Sequence, residues 1–465
     1  MSAVMEMDPD VRSAYAADAS GLRHLPDGVV RPESVDDVVE LLRRAAAEAF
    51  TITPAGAQTS TTGASVAESG VLLSLQRMDR ILDVDSARRT MLVQAGALLG
   101  DVKRAAASEG LLFAPDPTSE QECTIGGAIA CNASGARTLK YGATRQHVRA
   151  VTVVLASGDV VEFRRNDIEK NTAGYYFAHD PVDWFVGSEG TLGVIVSAEL
   201  ALIPLPERVM GIAVPFATER AALDFVVAAR SARDECHGGA RSLDPRCLEY
   251  FDERALEITR TGADGAAFGS EAAAAMVYLE QETKDNSEDA TLERWLQLAE
   301  EHAALDDLRV FASDAELRRA RAMRHAVPAT MNERGARYRD AGGRKVSTDW
   351  AVPFRRLGEA IEASRGIATS AGIDQAVTYG HAGNGHPHQN YLAQDSNDLA
   401  RIERVVEETL RVVMRMGGTV AAEHGIGKLK RRWLPLQMSP MTIGVMHAVK
   451  RELDPQGILA PGNIF

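Results

Sequence analysis

The stretch TIGGAIACNASGA, residues 124–136, indicates how the first half of the chain folds. It consists almost entirely of small residues, and PAGAQTSTTG at 54–63 and GSEGTLG at 187–193 share this composition. Small residues allow the main chain to approach an anion closely, so each loop can wrap a phosphate or a heterocycle with backbone N–H groups. Each loop alone is also typical of a turn in a β-rich domain, but three together favour a ligand site.

Neither of the two common nucleotide-binding motifs is present. The chain has no Walker sequence, and no G-x-G-x-x-G follows a first strand. A P-loop and a Rossmann dinucleotide site are therefore not supported.

Hydrophobic periodicity predicts mixed α and β structure around these loops. Ser34 and Asp37 form a capping-box pattern before a helix over 35–49, and the following strand at 50–53 is expected to end at Pro54. Further predictions are strands at 70–75, 81–84 and 90–95, a helix at 98–109 ending at Gly110, a hairpin over 148–163 turning at Ser157-Gly158, and helices at 217–233 and 285–304.

Composition and charge narrow the class of protein. The 465 residues, 45% hydrophobic and 25% charged, predict a globular chain of two or more domains. The net charge of -14 and the pI near 5.4 make nucleic acid and anionic membranes poor default partners, so we expect a small ligand. No apolar run reaches the roughly 18 residues of a spanning helix, and the acidic N-terminus does not resemble a secretory signal. These features predict no membrane span and a cytoplasmic location.

The cysteines at 123, 131, 236 and 247 form no CxxC pair. This spacing argues against thiolate-bound zinc, iron–sulfur clusters and a disulfide framework. Redox chemistry would need another cofactor.

Histidines are concentrated in two glycine-rich segments, GHAGNGHPHQN at 380–390 and AAEHGIG at 421–427. Imidazoles and a carboxylate are ligands of a Lewis-acidic divalent metal, so the two segments are candidates for a metal site. The alternative interpretation is that both segments are surface loops. If HPHQN is a strand, His386, His388 and Asn390 share one face.

Together these motifs resemble the vanillyl-alcohol oxidase type of FAD-binding fold, in the branch with D-lactate dehydrogenase, D-2-hydroxyglutarate dehydrogenase and the FAD subunit of glycolate oxidase. The resemblance extends over nearly the whole chain and also rests on APDPTSEQEC before residue 124 and on the terminal LDPQGILAPGNIF. It implies an α+β fold: a two-subdomain PCMH-type FAD-binding domain over 1–205, an α+β cap domain with a ferredoxin-like antiparallel sheet over 206–415, and a segment 416–465 that completes the FAD domain and active site.

The resemblance also implies FAD contacts, with loop 54–63 at the pyrophosphate. The implied set is Pro54, Gly56, Ala57, Gln58, Thr59, Ser60, Pro117, Thr124, Gly126, Gly127, Asn132, Gly135, Tyr141, Gly142, Gly190, Gly193, Ile195 and Asn463. The chain has Gly56-Ala57-Gln58 where the family usually has three glycines. Gln58 lies in the region where some relatives carry a histidine linked to the flavin, so we expect non-covalent FAD.

For the metal, the resemblance implies His381, His388 and Glu423, with His386 as a fourth or substitute ligand. Zinc is favoured because the reaction needs a Lewis acid without metal redox, and Fe(II) and Mn(II) are alternatives. His424 would be the general base, since its ordinary pKa suits proton transfer near neutral pH.

The substrate carboxylate needs a cationic partner. The resemblance suggests Arg324, with Arg321 as its alternative, and Lys345 as a second candidate. A solvated arginine-rich helix face is the competing interpretation. Asn390 completes the candidate catalytic set. Pro328 stands where relatives often have threonine, which weakens the case for any particular substrate, above all a dicarboxylate.

The expected reaction is FAD-dependent oxidation of a small D-2-hydroxy acid, with D-lactate favoured because RAMRH and STDWAVP look closest to the D-lactate branch. Alternatives are a D-2-hydroxyglutarate or glycolate dehydrogenase, a non-redox flavin transferase of the ether-lipid synthase type, and a non-catalytic FAD subunit. The electron acceptor stays open among quinone, cytochrome, electron-transfer flavoprotein and oxygen. The oligomeric state also stays open, with a homodimer as one option. The basic run KLKRRW at 428–433 indicates a solvated helix start or contact with an anionic partner.

Overall fold

A computed structural model describes residues 4–235, 243–261, 271–284 and 287–465. Cys236 lies outside the described residues. The α-helices are α1 (Pro9–Ala14), α2 (Val35–Glu48), α3 (Leu99–Ser108), α4 (Ile125–Ala130), α5 (Thr138–Tyr141), α6 (Val182–Phe185), α7 (Glu219–Glu235), α8 (Glu253–Arg260), α9 (Glu288–Glu301), α10 (Asp314–Ala336), α11 (Leu357–Ser370), α12 (Ser396–Arg415), α13 (Leu434–Gln437) and α14 (Pro440–Leu453). In the part of the chain that the structure describes, no helix has both the length and the apolar character needed to cross a membrane.

The strands follow the same chain order. They are β1 (Gly28–Val30), β2 (Ile52–Ala55), β3 (Val71–Ser74), β4 (Ile81–Asp85), β5 (Thr90–Gln94), β6 (Leu111–Leu112), β7 (Val148–Val154), β8 (Val160–Arg164), β9 (Val194–Ala201), β10 (Ile203–Pro204), β11 (Arg208–Phe216), β12 (Pro245–Asp252), β13 (Ala275–Thr283), β14 (Arg309–Phe311), β15 (Gly342–Ser347), β16 (Val377–His381) and β17 (His386–Asp395).

Local sequence signals account for several of these boundaries. The Ser34 hydroxyl accepts from the Asp37 backbone N–H, and the Asp37 carboxylate accepts from the Ser34 N–H, so the predicted capping box starts α2. Helix α3 gives way to Gly110 at φ +70°, a conformation that glycine adopts without strain. The predicted hairpin is also confirmed, because β7 and β8 pair antiparallel on either side of Ser157-Gly158.

The chain divides into two compact units. The first contains residues 1–135, 142–205 and 423–465. It holds a three-stranded parallel sheet in the order β1-β3-β2 and a five-stranded antiparallel sheet in the order β4-β5-β9-β7-β8. An apolar core joins α2 and α3 to strands of both sheets.

The prediction that Pro54 ends a strand is wrong. Pro54 lies inside β2, opposite Leu73 of β3. Strand β2 is at the edge of its sheet, where the missing N–H of proline costs no ladder hydrogen bond. The strand therefore continues to Ala55 and delivers the 54–63 loop from its end.

The second unit contains residues 136–141 and 206–422. Its seven strands form an antiparallel sheet in the order β14-β11-β13-β12-β16-β17-β15. Helices α8 and α10 share one apolar cluster with residues of this sheet. The predicted helices at 217–233 and 285–304 correspond to α7 and α9, and Ser287 is the N-cap residue of α9. The α+β class and the antiparallel sheet are as expected.

Candidate active site

The first unit contains a cavity that is partly open to solvent. Its lining brings together the three small-residue loops singled out in the sequence. From the expected FAD set it includes Pro54, Gly56, Ala57, Gln58, Thr59, Ser60, Thr124, Gly126, Gly127, Gly190, Gly193 and Ile195.

The loops approach so closely because side chains are missing at their contacts. A Cβ on Gly56 would lie 2.1 Å from the Thr124 hydroxyl, and one on Gly126 would lie 2.7 Å from the Ala95 Cβ. Gly190 has φ +76°, and its Cβ would contact Pro54 at 3.2 Å. The cavity is therefore a cradle that larger residues would fill, which fits a cofactor bound through main-chain groups.

Gln58 is fixed by hydrogen bonds rather than free to react. Its side-chain amide donates to the carbonyl oxygens of Tyr15 at 3.1 Å and Ser65 at 3.0 Å, and its backbone has φ +54°. A carboxamide has no nucleophilic atom for attachment to a flavin. The side chain at this position therefore fits a non-covalently held cofactor.

Other members of the expected FAD set do not line this cavity. They are Pro117, Asn132, Gly135, Tyr141, Gly142 and Asn463. Gly135 has a packing reason to be glycine, since its Cβ would lie 2.1 Å from the Asp116 carbonyl oxygen. Tyr141 belongs to the second unit, where its hydroxyl donates to the Glu282 carboxylate.

Asn463 fixes the end of the chain inside the first unit. Its amide nitrogen donates to the carbonyl oxygens of Ala64 at 2.8 Å and Glu189 at 3.0 Å. Its oxygen accepts from Lys428 Nζ at 2.6 Å. Lys428 and Lys430 are buried, so the interpretation of KLKRRW as a solvated helix start is wrong for both lysines.

Glu189 is a charged residue of the cavity that sequence reasoning missed. Its carboxylate accepts from the backbone N–H groups of Ile426 at 2.6 Å and Gly427 at 2.7 Å. Burial raises its pKa, although these two hydrogen bonds oppose the change. An acidic residue within GSEGTLG was the available signal.

In the second unit, His381, His386 and His388 come together on the β16–β17 hairpin. The antiparallel register places His381 opposite His386 and Tyr379 opposite His388, so the three histidines share a face. Their ring centroids are 5.4, 5.3 and 4.5 Å apart, and their ligand nitrogens lie within 4.8 Å of one another. His386 Nε2 is also 3.3 Å from an Asp349 carboxylate oxygen.

Arg324 and Glu249 adjoin this histidine group. Arg324 is buried on α10, and its Nε donates to Glu249 Oε2 at 2.5 Å. Glu249 Oε1 lies 2.7 Å from His381 Nδ1. Burial raises the pKa of Glu249, but attraction to Arg324 and His381 outweighs it and brings the pKa to about 2. The solvated alternative for the arginine-rich face is therefore wrong at Arg324, whereas Arg321 is half-exposed and pairs with Glu280.

Asn390 and Lys345 lie on the same face of this sheet. Asn390 Nδ2 donates to the Tyr379 hydroxyl at 3.1 Å, while its buried Oδ1 has no hydrogen-bond partner among the described residues. Ser347 pairs with Asn390 across β15 and β17, so Lys345, two residues earlier, faces the same way. Burial lowers the pKa of Lys345 to about 8, and within the described ranges no carboxylate is paired with it.

Glu423 and His424 belong to the first unit, which the chain re-enters at residue 423. The Glu423 carboxylate accepts from the Ser134 hydroxyl at 3.2 Å, and the His424 carbonyl oxygen accepts from the Thr62 hydroxyl at 3.3 Å. The expected site residues are thus divided between the units. His381, His388, Arg324, Lys345 and Asn390 are in the second unit, and Glu423 and His424 are in the first.

A cradle of small residues in one unit and a buried histidine, arginine and carboxylate group in the other are features of a flavin-dependent oxidoreductase. The chain belongs to the FAD-linked oxidase family. The family model described as "FAD binding domain" matches residues 26–164, and the model described as "FAD linked oxidases, C-terminal domain" matches residues 205–464. The resemblance identified in the sequence is confirmed.

Relatives and a solved structure agree with this membership. The chain is 30% identical to the glycolate oxidase subunit GlcD of Bacillus subtilis, over 98% of this chain and 92% of that protein. It is 32% identical to a D-2-hydroxyglutarate dehydrogenase of Xanthomonas citri pv. viticola (95% and 89%) and 31% identical to a D-lactate dehydrogenase of Archaeoglobus fulgidus (94% and 90%). A structure of alkyldihydroxyacetonephosphate synthase shares the fold with a TM-score of 0.73 at 17% identity, covering 98% of this chain and 83% of that one.

Proposed function

We propose that this protein oxidises a short D-2-hydroxy acid, with D-lactate favoured, to the corresponding 2-oxo acid. The observation that carries the proposal is the convergence of His381, His386 and His388 beside buried Arg324. Relatives named glycolate oxidase subunit, D-2-hydroxyglutarate dehydrogenase and D-lactate dehydrogenase support the substrate class.

FAD is the proposed oxidant, held non-covalently in the first-unit cradle. When bound, it supplies an acceptor for the hydride that leaves the substrate α-carbon. The 54–60 loop and the glycines at 126, 127 and 190 would hold it through main-chain groups, because no bulky side chain intervenes. Gln58 would keep its amide on the Tyr15 and Ser65 carbonyls and so leave the flavin unmodified.

The donor set fits a divalent metal, which when bound would supply a Lewis acid for the substrate hydroxyl. His381 and His388 provide two imidazoles and His386 a third within 4.8 Å. We propose Glu423 as the carboxylate ligand. Zinc is the first choice, with Fe(II) and Mn(II) as alternatives, because imidazole suits zinc and iron and a carboxylate suits manganese.

Two cations would bind the substrate carboxylate. Arg324 keeps Nε on Glu249, and its terminal nitrogens would form the fork that a carboxylate accepts. Lys345 is half-buried without an anionic partner among the described residues, so a carboxylate would relieve the cost of its partial burial. The unsatisfied Oδ1 of Asn390 is an acceptor for a ligand hydroxyl on the same face.

His424 is the proposed general base. An imidazole with an ordinary pKa near ~6.5 accepts the hydroxyl proton at neutral pH as the α-hydrogen departs. The His424→Ala variant should retain FAD but reduce it at least ~100-fold more slowly with substrate, in the range expected for loss of a general base. Reduction at the wild-type rate would disprove the assignment.

The decisive experiment is anaerobic stopped-flow measurement of flavin absorbance with D-lactate, L-lactate, glycolate and D-2-hydroxyglutarate. D-lactate should bleach the flavin fastest, and prior chelation should slow bleaching until Zn²⁺ is restored. Absence of bleaching by all four acids would refute the proposal and favour the non-redox transferase alternative. Re-oxidation with a quinone, a cytochrome, an electron-transfer flavoprotein or oxygen would then identify the acceptor.

A further inference from the structure

We propose that Glu249 is a positioning residue that fixes His381 as a metal ligand and Arg324 as a carboxylate clamp. This inference rests on the proposed function and deepens it. Glu249 is in β12, and its sequence PRCLEYFD contains none of the motifs identified above.

Glu249 orients the His381 ring. Glu249 Oε1 lies 2.7 Å from Nδ1, a distance at which the ring N–H donates to the carboxylate. With its proton on Nδ1, the neutral ring carries its ring-plane lone pair on Nε2, so Nε2 is the atom that can bind a metal. A carboxylate that holds the distal nitrogen of a histidine ligand fixes both the tautomer and the ring plane.

Glu249 also offsets the positive charge of Arg324 beside the proposed ligands. Arg324 Nη2 is 3.2 Å from one ring nitrogen of His381 and 3.3 Å from the other. A guanidinium this close to a ligand would repel a metal cation unless an anion offset it. Glu249 is buried, and its other oxygen accepts from Arg324 Nε at 2.5 Å. One carboxylate thus neutralises the arginine and orients the histidine.

The chain supplies a matched control in Glu280. It lies on β13, beside β12 in the sheet, and is buried like Glu249. It also pairs with an arginine of α10, since Arg321 Nε donates to it at 2.8 Å. Among the described residues it contacts no histidine, so removing its charge disturbs the same layer without touching the proposed ligands.

The test is Zn²⁺ affinity, measured on FAD-loaded protein by competition with a chromophoric chelator, without substrate or turnover. Loss of the hydrogen-bond partner of a metal-binding histidine typically weakens metal binding ~10–100-fold, and we expect this decrease for Glu249→Gln. Glu280→Gln should bind Zn²⁺ within ~2-fold of wild type, since no ligand loses its partner. The visible spectrum of bound Co²⁺ should change in Glu249→Gln and not in Glu280→Gln.

Wild-type affinity in Glu249→Gln, or equal weakening in both variants, would overturn the positioning role. If Glu249→Gln does not fold, Glu249→Asp keeps the charge and shortens the side chain by one carbon. It should still weaken Zn²⁺ binding, and unchanged affinity would contradict the proposal. Failure of the wild type itself to bind Zn²⁺ would refute the metal in the proposed function, a result seen before any variant is compared.

Discussion

Replacing Lys345 with methionine should raise the free energy of unfolding of the protein. It should also abolish the proposed contact between Lys345 and the substrate carboxylate. Burial lowers the pKa of Lys345 from its ordinary 10.5 to about 8. Each pKa unit corresponds to about 1.4 kcal/mol, so the charged lysine lowers the free energy of unfolding by about 3 kcal/mol at pH 7. Methionine keeps an unbranched apolar stem of similar length and removes that cost.

The pH dependence has a definite sign. Below pH 8 the lysine is protonated in both the folded and unfolded states, so the full cost is present. As pH rises from 8 to 10.5 the unfolded state binds more protons than the folded state, and the stability of the wild type rises. The advantage of Lys345→Met should therefore fall from about 3 kcal/mol at pH 7 to about 1 kcal/mol at pH 9.5.

Urea unfolding of the FAD-loaded protein at the two pH values measures this difference. Lys284→Met is the control, because Lys284 is an exposed lysine of the same unit and its loss should change stability by less than about 0.5 kcal/mol. A Lys345→Met variant no more stable than wild type at pH 7 would refute the reasoning. So would a gain of equal size at pH 9.5.

Two further predictions concern the first unit. Gly56→Ala places a Cβ 2.1 Å from the Thr124 hydroxyl, so the 54–60 loop or the Thr124 side chain must shift, and FAD affinity measured by fluorescence titration should fall at least tenfold. Gly444→Ala, whose added Cβ would have no atom within 4 Å, should bind FAD normally, and equal affinity in both variants would contradict the cradle. Asn463→Ala loses three hydrogen bonds, to Ala64, Glu189 and Lys428. At roughly 1 kcal/mol for each bond, the free energy of unfolding measured in urea should fall by about 3 kcal/mol. A decrease below about 0.5 kcal/mol would show that this side chain does not fix the C-terminal segment.

Local patterns predicted the parts of the fold that depend on neighbours in sequence. The capping box at Ser34 and Asp37 and the β7–β8 hairpin are encoded within a few residues. The shared face of His386, His388 and Asn390 followed from the two-residue period of a strand. The small-residue loops were recognisable because close backbone approach requires them.

Features that depend on strand order were not predictable. Nothing in the sequence PRCLEYFD sets Glu249 apart, and its partners Arg324 and His381 lie 75 and 132 residues further along the chain. Only the pairing of β12 with β16 places it beside the histidines. Pro54 was misassigned because an edge position is a property of the sheet. Lys428 is buried because the chain terminus supplies the Asn463 oxygen.

The insertion of one unit within the other has a consequence for biosynthesis. Residues 1–205 are made early. Asn463, however, is made roughly 250 residues later, and its amide donates to the carbonyl oxygens of Ala64 and Glu189 in the first unit. At typical translation rates this delay is about 10–50 s. We expect the flavin unit of the nascent chain to stay incomplete until the segment around Asn463 has been made, and to capture its cofactor only then.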